Sequence, residues 1–300
     1  MKNLRAIVAG QMNLNGAKNL LHANVENILE IEPTFLSAME ELAAGPSAEL
    51  SPAKLTDLAA GAADLFIRRI YAVNQYIQIR EQERREVEKI YLDSWKRLLH
   101  SKDVAGTLRN YHYPRIKAFI ERAYPSAFAD ALRSRETLNR VPCSEYSADL
   151  QLDLLRIDLS QIMEPVLDIG CGAHANLVTY LRAAGVDAYG CDRVLSVHRP
   201  YLVAVDWFTF ELSSGRWGTI LSNLSFASHF SYAQQYDRER VPRYVGLFHR
   251  VLLSLAPGGS FTFAPNVGEL EARTDLKAHR IEKWPLAAGY GATRITRAAP

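Results

Sequence analysis

Gly170, Cys171 and Gly172 follow directly on the apolar run Val166-Leu167-Asp168-Ile169, with Pro165 in front of it. Val, Leu and Ile are strand formers, so the run reads as a buried strand that ends in a glycine turn. Gly170 and Gly172 allow the backbone to turn tightly and to approach a ligand where a Cβ would collide. With Ala175 they spell G-x-G-x-x-A, and Asn176-Leu177-Val178-Thr179-Tyr180-Leu181 continues as an apolar run at helical spacing. Ala188-Tyr189-Gly190-Cys191-Asp192 then reads as a second short strand ending in a carboxylate. Asp192 lies 22 positions after Gly170. That is close to the spacing at which an acidic residue meets ribose hydroxyls in a dinucleotide-binding unit.

Further polar residues stand where later strands should end. Tyr201-Leu202-Val203-Ala204-Val205-Asp206-Trp207 reads as a third strand finishing in an acid and an aromatic ring. Trp217 to Asn223 reads as a fourth, followed by Leu224-Ser225-Phe226-Ala227-Ser228-His229-Phe230. In a doubly wound sheet such carboxyl ends face the ligand crevice. Earlier in the chain, Tyr111-His112-Tyr113-Pro114 sets three hydrogen-bonding rings at an expected break between helices. Such rings serve equally as a packed turn with polar tips or as a face for a cation. The three cysteines, Cys143, Cys171 and Cys191, make no zinc spacing, so no metal is expected. Cys171 and Cys191 read as small apolar core residues, and the odd count suits a reducing compartment.

The stretch 165–192 resembles the first motif of class I S-adenosylmethionine-dependent methyltransferases, which commonly reads VLDIGCG and places an acidic residue after the second strand. The resemblance is specific over those residues and looser to about residue 300. A nicotinamide-binding domain is the competing reading, and its flanking pattern differs. A glycine turn that binds nothing is the third. The resemblance implies S-adenosyl-L-methionine as cofactor. It implies cofactor contacts from Asp168, Gly170, Gly172, His174 and Asp192, and from Asp206, Trp207 and Ser222 further on. Asp206 would accept from the adenine amine and Trp207 would stack on its face, unless it simply fills the core. Asn223 stands where many family members carry a substrate-positioning polar residue. Tyr146 and Glu145 precede the first motif, where a helix often flanks the cofactor's amino-acid end. Tyr111, Tyr113 and Tyr146 are the rings that would face a sulfonium, and His229, His174 or a tyrosine would act as base toward a hydroxyl acceptor. The family's Asn-Pro-Pro-Tyr variant is absent, which argues against a nucleic-acid base as substrate.

The elements that must hold these residues fall into two kinds. Residues 1–140 are rich in Ala, Leu, Glu, Gln, Lys and Arg and read as all-helical. Ser51-Pro52 fits an N-cap followed by proline in the first turn. Leu55, Leu58, Ala59, Ala62, Leu65, Phe66, Arg69 and Ile70 give one stripe at three-four spacing, in one long helix or two up to about His100. The alternating charges of Arg80 to Lys89 read as a solvated helix face with i,i+4 pairs. Residues 141–300 read as an α/β doubly wound, Rossmann-like domain with the seven-stranded class I methyltransferase sheet. Pro142 to Leu159 is expected as a boundary followed by an amphipathic helix that Cys143 or Ser144 begins, and another helix is expected over Arg243 to Leu255. Ala256-Pro257-Gly258-Gly259 is expected as a turn, and Ser260 to Ala264 as a fifth strand. His279 to Leu286 and Ala292 to Thr296 are expected as a closing hairpin, after a small last helix.

Composition narrows the partners. The 300 residues are 48% hydrophobic and carry a formal net charge of +2, with acids and bases spread over both halves. Neither a polyanion nor a membrane surface is implied, and no apolar run approaches the ~20 residues of a membrane helix. A cytoplasmic setting is expected, with no nucleic-acid or membrane partner. The leading function is methyl transfer to a small-molecule acceptor, with residues 1–140 as a cap or lid. The alternative is attack at the cofactor's aminobutyryl chain. That would be cyclisation to azetidine-2-carboxylate or nicotianamine-like transfer, on S-adenosylmethionine alone or with an acceptor, releasing 5′-methylthioadenosine. A module that binds the cofactor without turnover is the third.

Overall fold

The amino-terminal residues form helices because good helix formers carry an apolar stripe. In the computed structural model, residues 4–15, 18, 20, 29–44, 51–123, 146–273, 275–286 and 290–299 are described. The chain divides into two compact units, Met1–Cys143 and Ser144–Pro300. The junction, with Glu145 and the expected helix start at Cys143 or Ser144, lies outside the described residues.

The first unit contains α1 (Leu4–Leu14), α2 (Pro33–Ala44), α3 (Pro52–Val73), α4 (Glu81–Leu98), α5 (Val104–Thr107) and α6 (Tyr113–Ala123). Ser51 caps α3 as expected, its hydroxyl accepting from the Lys54 amide at 3.4 Å, with Pro52 in the first turn. Leu55, Ala59, Ala62, Phe66 and Ile70 are buried, whereas Leu65 of the expected stripe is exposed. The long helical pattern is two helices. It stops at Asn74, whose side-chain carbonyl accepts from the Tyr76 amide at 2.9 Å and so offers the backbone a turn instead of another helical bond. Along α4, Arg85 pairs with Glu81 and Arg84 with Glu88 at i,i+4 spacing.

The expected break at Pro114 is a π turn instead. Leu108–His112 is π-helical between α5 and α6, and the Tyr113 amide donates to the Leu108 carbonyl five residues back. A proline inside a helix lacks its N–H and crowds the carbonyl four residues earlier. Widening the turn just before Pro114 relieves that crowding without ending the helix.

The second unit holds α7 (Ala148–Leu155), β1 (Val166–Ile169), α8 (Asn176–Ala183), β2 (Ala188–Asp192) and β3 (Leu202–Ala204). It continues through β4 (Trp217–Asn223), α9 (Phe226–Tyr236), α10 (Val241–Ser254), β5 (Leu255–Ala264), α11 (Gly268–Ala272), β6 (His279–Pro285) and β7 (Gly291–Arg297). The strands form one seven-stranded sheet in the order β3-β2-β1-β4-β5-β7-β6. Strands β1 to β5 pair in parallel and β7 runs antiparallel to both β5 and β6. The closing hairpin and the small last helix match expectation. The third strand is shorter than expected, and α7 starts from Ser147, whose hydroxyl accepts from the Leu150 amide.

Ala256-Pro257-Gly258-Gly259 lies within β5 and does not precede it. Trp217 pairs with Leu255 and Thr219 with Ser260, so these four residues bulge out of register. The Gly259 Cα packs against the carbonyl oxygens of Trp217 and Gly218 too closely for a side chain.

Parity along the strands assigns two apolar faces. Val166, Ala188 and Leu221 join Leu177, Val178 and Leu181 of α8 on one face. Leu167, Ile169, Ile220 and Phe261 join Phe226, Phe230 and Phe248 on the other. Both faces of the parallel strands are covered, which is why β4 is buried along its whole length.

Candidate functional site

Register determines which polar side chains share a face. Asp168 pairs with Gly190 and with Leu221. Side chains alternate along a strand, so Asp192 and Asn223, each two residues further on, point to the same face as Asp168. The sheet therefore collects two carboxylates and an amide at the carboxyl ends of three adjacent strands, β2, β1 and β4.

The turn after β1 is built by its glycines. Gly170 has φ +77° and Gly172 φ +79°, in the left-handed region that glycine tolerates. A Cβ on Gly170 would also meet the Ser225 side chain and would lie 2.9 Å from a ring carbon of Trp207. The Gly170 amide donates to the Cys191 carbonyl at 2.8 Å. The Gly172 amide donates to Asp192 Oδ2 at 2.9 Å, and the Val194 amide to Asp192 Oδ1 at 3.0 Å.

Asp168 is 1% exposed, and its Oδ2 has no hydrogen-bond partner among the described residues. Burial first, and the neighbouring Asp192 second, push its carboxyl up to about 7. Asn223 is 7% exposed, and neither its Oδ1 nor its Nδ2 has a partner among the described residues. Buried polar atoms are nearly always satisfied, so an orphaned carboxylate oxygen and amide on one face mark a place where a ligand belongs. Directly after Asn223, Leu224 adopts φ 49°. A left-handed leucine is strained, and such outliers gather at functional sites. Leu224 and Ser225 are candidate site residues that the sequence reading missed. Their small-polar neighbourhood was visible, but neither the outlier nor the approach of Ser225 to Gly170 has a sequence signal.

The remaining candidates divide. Tyr146 is brought to the glycine loop: its backbone carbonyl accepts from Asn176 Nδ2 at 3.1 Å and from Gln151 Nε2 at 3.1 Å. His174 lies in the loop and is exposed. Asp206 accepts the Phe208 amide at 2.9 Å on Oδ1 and is half-buried. Trp207 is a core ring at the edge of the site. It meets His229 edge-on at 4.8 Å between centroids and packs over Gly170, and its Nε1 has no partner among the described residues. His229 is 5% exposed, and burial, then Arg193, hold its imidazole well below the ordinary histidine range. It is a neutral ring in an aromatic cluster and a weak base.

Ser222 needs a correction. It lies on the opposite parity, is fully buried, donates to the Ile169 carbonyl at 3.0 Å and accepts from the Phe226 amide at 3.1 Å. It ties β1 to the start of α9, with a spent hydroxyl. Tyr111 also needs one. The Arg115 and Arg97 guanidinium carbons sit 3.6 and 4.3 Å from its ring centroid, so two cations already use that ring. Tyr113 lies in the helical unit, half-buried, with its hydroxyl pushed up to about 12 by burial. Cys171 and Cys191 are free, buried thiols raised by burial, inert as expected. No cluster of metal-ligating side chains occurs among the described residues, and no described helix is long and apolar enough to cross a membrane.

A parallel sheet in the order β3-β2-β1-β4-β5, closed by an antiparallel β7 between β5 and β6, has a glycine turn after β1 and an acid ending β2. Residues Ser144–Pro300 have the class I methyltransferase fold. No family model and no curated protein matches the chain. Solved structures similar to it include three with modest overlap. An S-adenosylmethionine-dependent methyltransferase from Bacteroides fragilis, in complex with S-adenosyl-L-homocysteine, is 15% identical. It covers 48% of this chain and 77% of that one, with a TM-score of 0.36. The N-methyltransferase NodS from Bradyrhizobium japonicum WM9, with S-adenosyl-L-homocysteine, is 17% identical over 50% of this chain and 86% of that one, TM-score 0.35. The [4+2]-cyclase SpnF is 12% identical over 51% and 80%, TM-score 0.36. Likenesses at this level carry no argument of their own, and the fold rests on strand order and register.

Proposed function

We propose that the sheet domain binds S-adenosylmethionine and catalyses transfer of its methyl group to a small molecule. The observation that carries the reading is the pair of orphaned buried groups, Asp168 Oδ2 and the Asn223 amide, on one face at the carboxyl ends of β1 and β4. The donor set fits the group. Asp168 offers a buried carboxylate to an ammonium, Asp192 ends β2 beside the glycine turn as the carboxylate for ribose hydroxyls, and Gly170 and Gly172 carry no side chain in that turn. Asp206 and Trp207 remain the assignment for the adenine end, and His174 for the loop side.

When bound, S-adenosylmethionine supplies a sulfonium whose methyl carbon is open to in-line attack. The chain's own residues orient and desolvate. Asn223, with donors and an acceptor free, holds the acceptor's polar group at the end of β4. Tyr146, whose backbone carbonyl accepts from Asn176 beside the glycine loop, adds its ring at the amino-acid end in this reading. An acceptor that arrives as a neutral amine needs no base from this site, and His229, held well below the ordinary histidine range by burial, is a weak one.

The test is a mass spectrum of cofactor-derived products from the full chain with a panel of small amines and hydroxyl compounds. S-adenosylhomocysteine with a methylated acceptor is expected. Release of 5′-methylthioadenosine would replace this reading with aminobutyryl chemistry, either azetidine-2-carboxylate formation or nicotianamine-like transfer. Cofactor binding with no product would leave a binding module.

A further inference from the structure

The helical unit contains a cavity of about 140 Å³ among α1, α2, α3, α4, the π turn and α6. Its wall is apolar for the most part, with Phe66, Ile70, Leu98, Leu108, Ile116 and Ile120 all buried. An interior normally closes on itself to the density of an organic crystal. The cavity is open on one side, so solvent can enter it, and an apolar occupant would gain the dispersion contacts that its lining forgoes. A dry apolar cavity of about 150 Å³ is known to accept a single aromatic ring.

The polar atoms of the wall give the chemistry of the occupant. Gln11 and Asn15 are spent: their amides bond the backbone of Glu30 and Glu32. Lys18 pairs with Glu30 at 3.2 Å. Ser94 Oγ donates to the Ile90 carbonyl at 2.7 Å and so accepts from His112 Nδ1 at 2.9 Å. Burial holds His112 down to about 4, so the ring is neutral. Arg69, also in the wall, donates from Nη1 to Asn13 Oδ1 at 3.4 Å. Trp95 and Tyr113 keep unpartnered atoms. Trp95 is 4% exposed, and its Nε1 has no partner among the described residues. The Tyr113 hydroxyl is buried and also lacks one. An indole N–H only donates, and a phenol at neutral pH donates most readily. The π turn sits in this wall and carries Leu108 and His112 into it. Single π turns inside helices recur at functional sites.

We propose that this cavity is a binding site, separate from the cofactor site, for a neutral molecule of single-ring size. Its apolar body carries one acceptor oxygen, such as a carbonyl, toward Trp95 and Tyr113. A carboxylate is disfavoured because the wall is mostly apolar and its two cations, Lys18 and Arg69, already meet Glu30 and Asn13. The proposal does not depend on methyl transfer.

Calorimetry on the full chain with acetophenone and ethylbenzene tests it. The two are close in size, and only the first has an acceptor. Acetophenone should bind saturably and about tenfold more tightly than ethylbenzene, the effect of one or two net hydrogen bonds. Tyr113→Phe or Trp95→Phe should bring acetophenone down toward ethylbenzene and leave ethylbenzene unchanged. Ile116→Trp, checked for folding by circular dichroism, should abolish both by filling the space. Equal affinity for the two probes in the unaltered protein overturns the polar recognition. Failure of both to bind overturns the site, and so does full acetophenone binding in a folded Ile116→Trp variant.

Discussion

Asp168 is the residue whose state should report on the site. Its carboxyl is raised to about 7 from an ordinary 3.8, by burial first and by Asp192 second. The native state therefore holds a proton, between about pH 4 and 7, that the unfolded chain has released. Stability falls as pH rises through that window, and the full cost, of the order of a few kcal/mol, is present above about 7. A cationic ligand acts in the opposite direction, because an ammonium favours the carboxylate. Affinity for S-adenosylmethionine should rise from pH 5.5 to about 7.5 and then level off. Asp168→Asn should be more stable than the unaltered protein at pH 8, should bind more weakly, and should lose the pH dependence. Calorimetry and thermal melts across that range read all three. An unchanged pH profile in the variant would remove Asp168 from the ligand. Asn223 makes a parallel case. A buried amide without partners costs about 1–3 kcal/mol, so Asn223→Leu should hold or raise stability. Turnover should nevertheless fall at least tenfold if the amide holds the acceptor. A destabilised but fully active variant would mean that the amide serves packing.

At the scale of elements, the glycine turn after β1 is where sequence and geometry agree most closely. Gly170 needs its type twice over, for φ +77° and for the approach of Ser225 and Trp207. Gly170→Ala should therefore cost more than the ~1 kcal/mol of backbone preference alone, and should weaken cofactor binding in the folded fraction. Gly185, at φ +86° with open space around it, gives the control: Gly185→Ala should show the conformational cost only. Equal melting temperatures for the two variants would show that the Ser225 and Trp207 contacts yield freely. The β1 strand, the turn, Asp192, the closing hairpin and the Ser51 cap were legible because each is written in local residue types. The π turn was not, because a proline signals a break and only packing determines whether a helix ends or widens. The bulge within β5 was read as a turn before the strand, since Pro257-Gly258-Gly259 looks the same in both. Ser222 was misassigned because one step of strand parity moves a hydroxyl to the opposite face. The orphaned Asn223 amide was legible as a position but not as an unsatisfied group, which depends on every neighbour.

At the scale of the molecule, the chain carries two units with separate cores, Met1–Cys143 and Ser144–Pro300. Each has buried polar groups without a partner among the described residues: Trp95 and Tyr113 in one, Asp168 and Asn223 in the other. Ligands chosen for one set should leave a separable mark, and hydrogen exchange read by mass spectrometry can locate it. S-adenosylmethionine at a hundred times its Kd adds about 2.7 kcal/mol to whatever opens its site. Exchange should slow in peptides spanning Gly170 to Asn176 and Ser222 to Phe226. Acetophenone should slow peptides spanning Tyr91 to Leu98 and Leu108 to Ile120. The reading of residues 1–140 as a lid adds a stricter demand. S-adenosylmethionine alone must then also protect peptides of the helical unit, because a cap that closes over the cofactor opens only when the cofactor leaves. Protection confined to Ser144–Pro300 would remove the lid and keep the cofactor site. Absence of protection at Gly170 to Asn176, with protection elsewhere, would remove the site itself.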